Sequence, residues 1–501
     1  MILLDGSNLT PSAVISIMKG EIDVGLAESS RSRVDKARKA VDEIVRSGQP
    51  AYGINTGFGD LVSVAISAED LSTLQENLVR SHACGMGESM DPLHVIGMMT
   101  VRVNSLLVGN SGIKWETIET IVSMIQARIA PVVPRIGSLG ASGDLAPLSH
   151  MSLGLMGEGM VDVDTGKEWV RMEASKALSN ANINPISLGA KEGLSLINGT
   201  SQMCVWLCIA YHEISSLVSA SEVALALSIE AAHGSLSPFD ERIHSVRPHE
   251  GQLKTASRIR LLLDKSANMN SHADCGKVQD AYSFRCSPQV IGAVRDILSD
   301  LENTLSIELN SVTDNPLIFL TDDGVDVVSG GNFHGEILGM RADSTHLAIH
   351  ELASISERRI AQLLDPSTTG LPAFLAEDPG LTSGLMILQY AAAAAISEIR
   401  ATLGPATATN IVVSGQQEDH VSMGATACWL LIQSISNASS VIAAEMITAS
   451  IALDHRSEDI GPNLQPYLDL IRSIVPVDHG DVRRDISVQN LLQSICNGSY
   501  N

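Results

Sequence analysis

The feature that most constrains this chain is a set of segments whose apolar residues recur at helical spacing for much longer than in an ordinary globular helix. They lie at roughly 190–232, 288–311, 334–363, 384–402 and 419–452. In 389–408 alanine covers the helix nearly all round. A helix that is apolar on most faces has to be covered on most faces, so these segments predict a central bundle that further copies of the chain can complete. Shorter helices carry end signals. In 32–47, Val34, Ala37, Val41, Ile44 and Val45 form one stripe that stops before Gly48, a residue suited to a left-handed cap. Ser67 and Asp70 are spaced as a capping box for a helix reaching about His82, and Asp91-Pro92 reads as an N-cap followed by a first-turn proline. Strand signals are confined to two hairpins, 160–172 and 317–328. No linker, repeat or low-complexity stretch divides the sequence. It reads as a mainly α single unit over 1–501, loop-rich over about 1–190 and a long-helix bundle over about 191–501.

A chain of 501 residues needs no disulfide or metal staple to bury a core. Its 33 Lys plus Arg against 57 Asp plus Glu give a net charge of −24 without a basic stripe, which excludes a nucleic-acid backbone as partner. The seven cysteines show neither a paired framework nor a zinc spacing, and Cys204 and Cys208 read as small core residues on one helix face. His, Glu or Arg interrupt the apolar stretches, which argues against a membrane span. The opening MILLDGSNLT has no basic leader region, and together these point to a reducing, cytoplasmic setting.

Two glycine-rich loops, 52–59 (YGINTGFG) and 137–144 (GSLGASGD), are the candidates for chemistry. Neither fits a phosphate cradle, because the second is GxxGxxG with no following lysine and no clear strand before it. Ala141-Ser142-Gly143 offers something else. If the Gly143 nitrogen attacks the Ala141 carbonyl and two waters leave, the three residues become a 4-methylideneimidazol-5-one ring. Gly143 has no Cβ to block the approach, Ala141 adds little bulk, and Ser142 carries the hydroxyl whose loss makes the exocyclic methylidene. The bare tripeptide is also what a tight turn before a helix looks like. Ser149-His150 lacks the GxSxG setting of a hydrolase nucleophile, and His346 and His350 in HLAIHE do not form HExxH.

The flanks decide between these. ASGDLAPLSHMSLGLMGEG resembles the signature of the aromatic amino-acid ammonia-lyases. The resemblance continues in register through YGINTGFG (52–59), NLVRSHACG (77–85), KEGLSLINGT (191–200), KVQDAYSFRCSPQV (277–290), SVTDNPL (311–317), SGGNFHGE (329–336), SERRI (356–360) and QQEDHVSM (416–423). It implies a bundle of the ammonia-lyase/fumarase-like type, the ring as the only prosthetic group with no metal or nucleotide, and a homotetramer whose active sites draw on more than one subunit. It further implies that Tyr282 takes the β-proton, that Tyr52 lies near the amine, and that Arg285 clamps the substrate carboxylate with a bidentate fork. Asn198, Gln279 and Phe333 match further pocket positions. A tyrosine hydroxyl, pKa about 10, is a poor base at neutral pH, so cationic or hydrogen-bonding neighbours have to favour its phenolate. Arg285, three residues on, faces the same way if the segment is helical.

Ser81-His82 and Glu418 resemble the histidine-specific branch, where related enzymes for other substrates carry His-Leu or Phe-Leu at the pair and usually Gln in place of the Glu. An imidazole has two polar ring nitrogens to satisfy, whereas a phenyl ring would leave the Glu418 carboxylate desolvated and unpaired. The resemblance therefore implies deamination of L-histidine to trans-urocanate and ammonia. A tyrosine or phenylalanine lyase or aminomutase on the same fold, and a catalytically silent helical scaffold, are the alternatives. The segment departs from its relatives at Ala281 and Phe284, where Pro and Leu are common, which predicts a looser loop.

Overall fold

Along helix Ser201–Ala232 the consecutive residues Met203, Cys204, Val205, Trp206, Leu207 and Cys208 are all buried, so this 32-residue helix leaves no face for water there. The other long helices are Ser287–Glu308, Glu336–Leu363, Met386–Thr402 and Gly424–Leu453. The computed structural model describes residues 1–48, 50–51, 53–56, 66–67, 69–272, 278–322 and 324–501. Helix makes up 59% and strand 9%, the mainly α class that the apolar periodicity predicts. Two helices, Ser201–Ala232 and Gly424–Leu453, are long and apolar enough to cross a membrane, which corrects the expectation that charges interrupt every apolar run. Glu213, Glu222 and Glu230 in the first and Glu445 in the second are too widely spaced to break the pattern, and 89% and 61% of the two apolar windows are buried in the fold.

The chain divides into two compact units. Unit 1 comprises Met1–Ile209, Glu302–Ala342 and Pro405–Trp429. Its helix Arg31–Ser47 buries Val34, Ala37, Ala40 and Val41 and ends on Gly48 at φ 71°, the left-handed cap the sequence predicts. Helix Pro92–Leu107 starts as expected, with the Asp91 carboxylate accepting from the Leu93 amide at 2.8 Å. The capping box does not form. Ser67 donates instead to the Asp70 carboxylate at 2.7 Å, Glu69 and Asp70 lie in a turn, and the helix begins only at Leu71.

The two hairpins are present as Met160–Asp164 with Trp169–Glu173 and Leu317–Thr321 with Gly324–Val328. Short strands accompany them: Ile2–Leu4 runs parallel to Val24–Leu26, Met86–Ser89 pairs with Pro134–Ile136, and Ile129–Pro131 adds to the first hairpin. Three or four residues are too few to show an alternating pattern in sequence.

Unit 2 comprises Ala210–Leu301, Asp343–Gly404 and Leu430–Asn501. A buried fork joins two of its long helices: Arg359 Nε and Nη2 donate to the Glu445 carboxylate at 2.5 and 2.6 Å, and neither side chain is exposed. Ser228 and Ser356 donate to the same carboxylate at 2.7 and 2.5 Å, so both oxygens are satisfied.

Candidate active site

The helical pattern expected over 190–232 is broken where it matters most. Glu192–Ile197 is one helix, Ser201–Ala232 the next, and Asn198 between them is extended at φ −95°, ψ 105°. Gly199 has no room for a side chain, since a Cβ there would lie 2.2 Å from Arg102 Nη1. The break presses Gly199 against the glycine-rich loop. The Asp144 amide donates to the Gly199 carbonyl at 2.6 Å, and a Cβ on Gly143, at φ +76°, would sit 2.2 Å from that same oxygen. Only glycine fits at Gly143.

The other side of the loop is pinned as firmly. The Gly140 carbonyl accepts from the Gly335 amide at 3.0 Å and from Ser422 Oγ at 3.1 Å, and the Met423 amide donates to the Leu139 carbonyl at 2.8 Å. Ala141 is buried with Val421 and Met423. Asn198 Nδ2 donates to the Ser142 carbonyl at 2.8 Å, and Ser142 Oγ donates to Glu418 Oε1 at 3.3 Å. The three residues that would form the ring are thus held at both ends, with an amide on the central carbonyl and a carboxylate at the hydroxyl that must leave. The arrangement fits the group.

Asp144 is a member of this site that the sequence reading passed over. It is fully buried and accepts from the Gln202 and Met203 amides at 2.8 and 3.2 Å and from Ser138 Oγ at 2.9 Å. Burial pushes its carboxyl up to about 6 against those three bonds. The acidic residue after the Gly is visible in GASGD, but nothing in the sequence says that it meets the start of a helix more than fifty residues on.

Above the loop lies a cavity of about 660 Å³ whose lining includes His82, Ala141, Ser142, Asn198, Phe333 and Glu418. Six of the expected site residues, scattered over the sequence, therefore share one wall. Asn315, His334, Asp419 and His420 also line it; all four fall within the quoted motifs, yet none was singled out. His82 Nδ1 lies 2.9 Å from the Leu78 carbonyl, which can only accept, so the proton sits on Nδ1 and Nε2 is the acceptor. Burial lowers the His82 pKa, with the Leu78 carbonyl and Glu418 acting in the opposite direction, and the neutral ring is favoured.

Gln279, Tyr282 and Arg285 belong to unit 2 and form a group of their own. Tyr282–Arg285 is a short helix, and the Arg285 guanidinium carbon stands 4.7 Å from the centre of the Tyr282 ring, so the two do face the same way. Arg285 Nη1 donates to Gln279 Oε1. Tyr282 is 70% exposed in the single chain, with its ring open to whatever approaches. The departures from the family pattern are accommodated: Phe284 is buried, and Ala281 has φ −58°, the angle that a proline would impose. Tyr52 lies outside the described residues, as does most of the second half of its loop.

The discarded candidates have structural occupations. Ser149 Oγ donates back to the Leu145 carbonyl at 2.7 Å, and His346 Nε2 is 2.7 Å from Ser434 Oγ. Cys204 and Cys208 are fully buried, which pushes both thiols well up.

The aromatic amino acid lyase family model matches residues 9–473. A histidine ammonia-lyase of Alkaliphilus oremlandii is 44% identical over 475 residues, 95% of this chain and 92% of the relative. The crystal structure of histidine ammonia-lyase from Trypanosoma cruzi superposes with a TM-score of 0.91 at 38% identity, covering 99% of this chain and 94% of that one. A tyrosine aminomutase from Streptomyces globisporus superposes at 0.92 with 33% identity, covering 100% and 97%. The chain belongs to the aromatic amino acid lyase family.

Proposed function

We propose that this chain is a carbon–nitrogen lyase that removes ammonia from L-histidine to give trans-urocanate, using a methylidene-imidazolone made from its own Ala141, Ser142 and Gly143. The observation that carries the reading is the fit just described, with Gly143 pressed on Gly199, the Asn198 amide on the Ser142 carbonyl, and Glu418 and His82 in the same cavity wall. The ring supplies an electrophilic methylidene carbon that ties up the substrate's amine as a better leaving group.

The remaining work falls to side chains. Asn198 holds a proton donor on the Ser142 carbonyl oxygen, the atom that would be conjugated to the methylidene, and there it would stabilise negative charge. Glu418 and the neutral His82 offer acceptors to an imidazole N–H, and Phe333 packs against the substrate. Tyr282 takes the β-proton, Tyr52 attends the amine, and Arg285 with Gln279 receives the carboxylate. With Tyr282 and Gln279 exposed and Arg285 half-buried in the single chain, the three serve a cavity completed by a further copy of the chain. The proposal includes a homotetramer in the cytoplasm, each chain acting as one catalytic unit.

The experiment is an amino-acid panel on purified protein, L-histidine, L-tyrosine and L-phenylalanine, followed by the absorbance of the conjugated acrylate and by assay for β-amino acids. Urocanate from L-histidine, with the other two far slower, supports the reading. Turnover of L-tyrosine or L-phenylalanine alone, or a β-amino acid as product, replaces it with the aminomutase or the other lyases.

A further inference from the structure

Behind the Ser142 loop, unit 1 buries a group of charges to which none of the roles above gives a purpose. Arg102, Lys191 and Asp314 are all fully buried. Lys191 Nζ donates to Asp314 Oδ2 at 2.8 Å and to Ser195 Oγ at 3.1 Å, and the Asn315 amide takes the other Asp314 oxygen at 2.6 Å. Arg102 Nη2 donates to the Ser195 carbonyl, but its Nε and Nη1 have no hydrogen-bond partner among the described residues. Two cations therefore share one carboxylate. Burial lowers the pKa of both, and Arg102 adds to the effect on Lys191. The arginine starts from so high a value that it keeps its charge. A buried guanidinium with two unmade hydrogen bonds costs stability that a methionine of similar length would not, so packing alone does not account for it.

Its direction is informative. Arg102 Nη1 is the atom that a Cβ on Gly199 would strike at 2.2 Å, and a Cβ on Gly143 would lie 2.2 Å from the Gly199 oxygen and 2.7 Å from its nitrogen. The guanidinium and Gly143 thus both approach the backbone of Gly199.

We infer that Arg102 is a positioning residue for ring closure, its unpaired edge packed against Gly199 and setting a positive charge one backbone away from the Gly143 amide nitrogen. This rests on the ring reading above. In closure the Gly143 nitrogen bonds to the Ala141 carbonyl carbon while the carbonyl π pair moves to oxygen. That oxygen leaves as water with the N–H protons of Gly143 and Ser142, and the Ser142 nitrogen becomes doubly bonded to the same carbon. A second water carries off the Ser142 hydroxyl and its Cα proton, leaving the exocyclic double bond. As the Gly143 proton is lost, negative charge passes through the nitrogen and the Ala141 oxygen, and a fixed cation in a dry site favours that.

The test follows newly made full-length chains by intact mass after a timed chase, since the mature ring makes the chain ~36 Da lighter. Circular dichroism and melting check folding in parallel. Arg102→Gln should fold yet lose the two waters at least about tenfold more slowly than wild type, and Arg102→Lys, which keeps the charge, should restore the rate to within about threefold. Arg102→Gln maturing at the wild-type rate overturns the inference, and so does Arg102→Lys as slow as Arg102→Gln. Should Arg102→Gln fail to fold, Asp314→Asn decides, because it strips the cations of their counter-ion: maturation at least as fast as wild type supports the inference, and a slowing of about tenfold overturns it. A wild-type chain that keeps its full mass rejects the ring reading itself, a separate result.

Discussion

Removing the Asn198 side chain separates catalysis from stability in a way that few substitutions here can. Asn198 is buried, its Nδ2 is 2.8 Å from the Ser142 carbonyl oxygen, and its Oδ1 is buried without a hydrogen-bond partner among the described residues. Asn198→Ala deletes one hydrogen bond, worth about 1 kcal/mol net, and with it an unsatisfied acceptor whose burial costs about 1–3 kcal/mol. The two nearly cancel, so the melting temperature should move by only a few degrees. Catalysis has no such compensation. On the proposed mechanism the donor faces the oxygen that would take up charge, and losing one preorganised donor of this kind costs about 2.7–4 kcal/mol, or roughly 10²–10³ in kcat. Because the interaction strengthens only in the transition state, kcat and kcat/KM should fall together with KM little changed. The assay is urocanate formation by protein whose mass shows the ring to be complete. A loss of less than about tenfold in fully mature protein would refute the argument. A collapse of folding would refute its stability half.

Other consequences follow from the same geometry. Glu418→Gln should lower turnover of L-histidine by about 10–100-fold and narrow its preference over L-phenylalanine, because the neutral amide no longer penalises an apolar ring; an unchanged ratio of the two rates would count against Glu418 as the selecting residue. The buried fork in unit 2 should be costly to break. Arg359→Met leaves Glu445 buried without its counter-ion and should destabilise by about 3–5 kcal/mol in chemical denaturation, whereas replacing both partners by apolar residues should cost much less. Stability should also fall on the acid side. The Gly85 amide donates to His150 Nε2 at 3.0 Å, a bond only the unprotonated nitrogen accepts, and burial lowers the pKa of His150 as it does those of His82, His94 and His346. The folded state resists a proton that the unfolded chain takes up near 6.5, so this stability is complete above that pH and drains away below it. Asp144, raised to about 6, works in the opposite sense below that value. Melts at pH 7.5 and 5.5 should show the loss, and His150→Gln should reduce it; an equal loss in the variant would contradict the assignment.

Helix Ser201–Ala232 was legible because burial on every face writes itself into composition, whereas the Ala-rich Met386–Thr402 buries only Ala392, Ile396 and Ile399 in the single chain; the caps at Gly48 and Asp91 were legible because the chemistry of an end is local. Ser67 and Asp70 misled for the same reason: the spacing fits a capping box, but the choice between a helix and a side-chain pair is made by what packs around it. Asn198 was legible through its motif as a candidate, and it does line the cavity, but it was not legible as a helix break, since KEGLSLINGT keeps its helical periodicity and it is the distant Arg102 and Thr313 that crowd Gly199. Asp144 and the wall formed by His334 and His420 escaped notice because their meaning lies in which distant segment each one faces.

The central claim is that Ser142 and its two neighbours cease to be an ordinary tripeptide. The most direct measurement is the mass of the peptide spanning residues 141–143 from active wild-type protein and from Ser142→Ala. The account predicts a peptide ~36 Da light in the first and of full mass in the second, with urocanate formed only by the first. A full-mass peptide throughout a preparation that turns L-histidine into urocanate would contradict it.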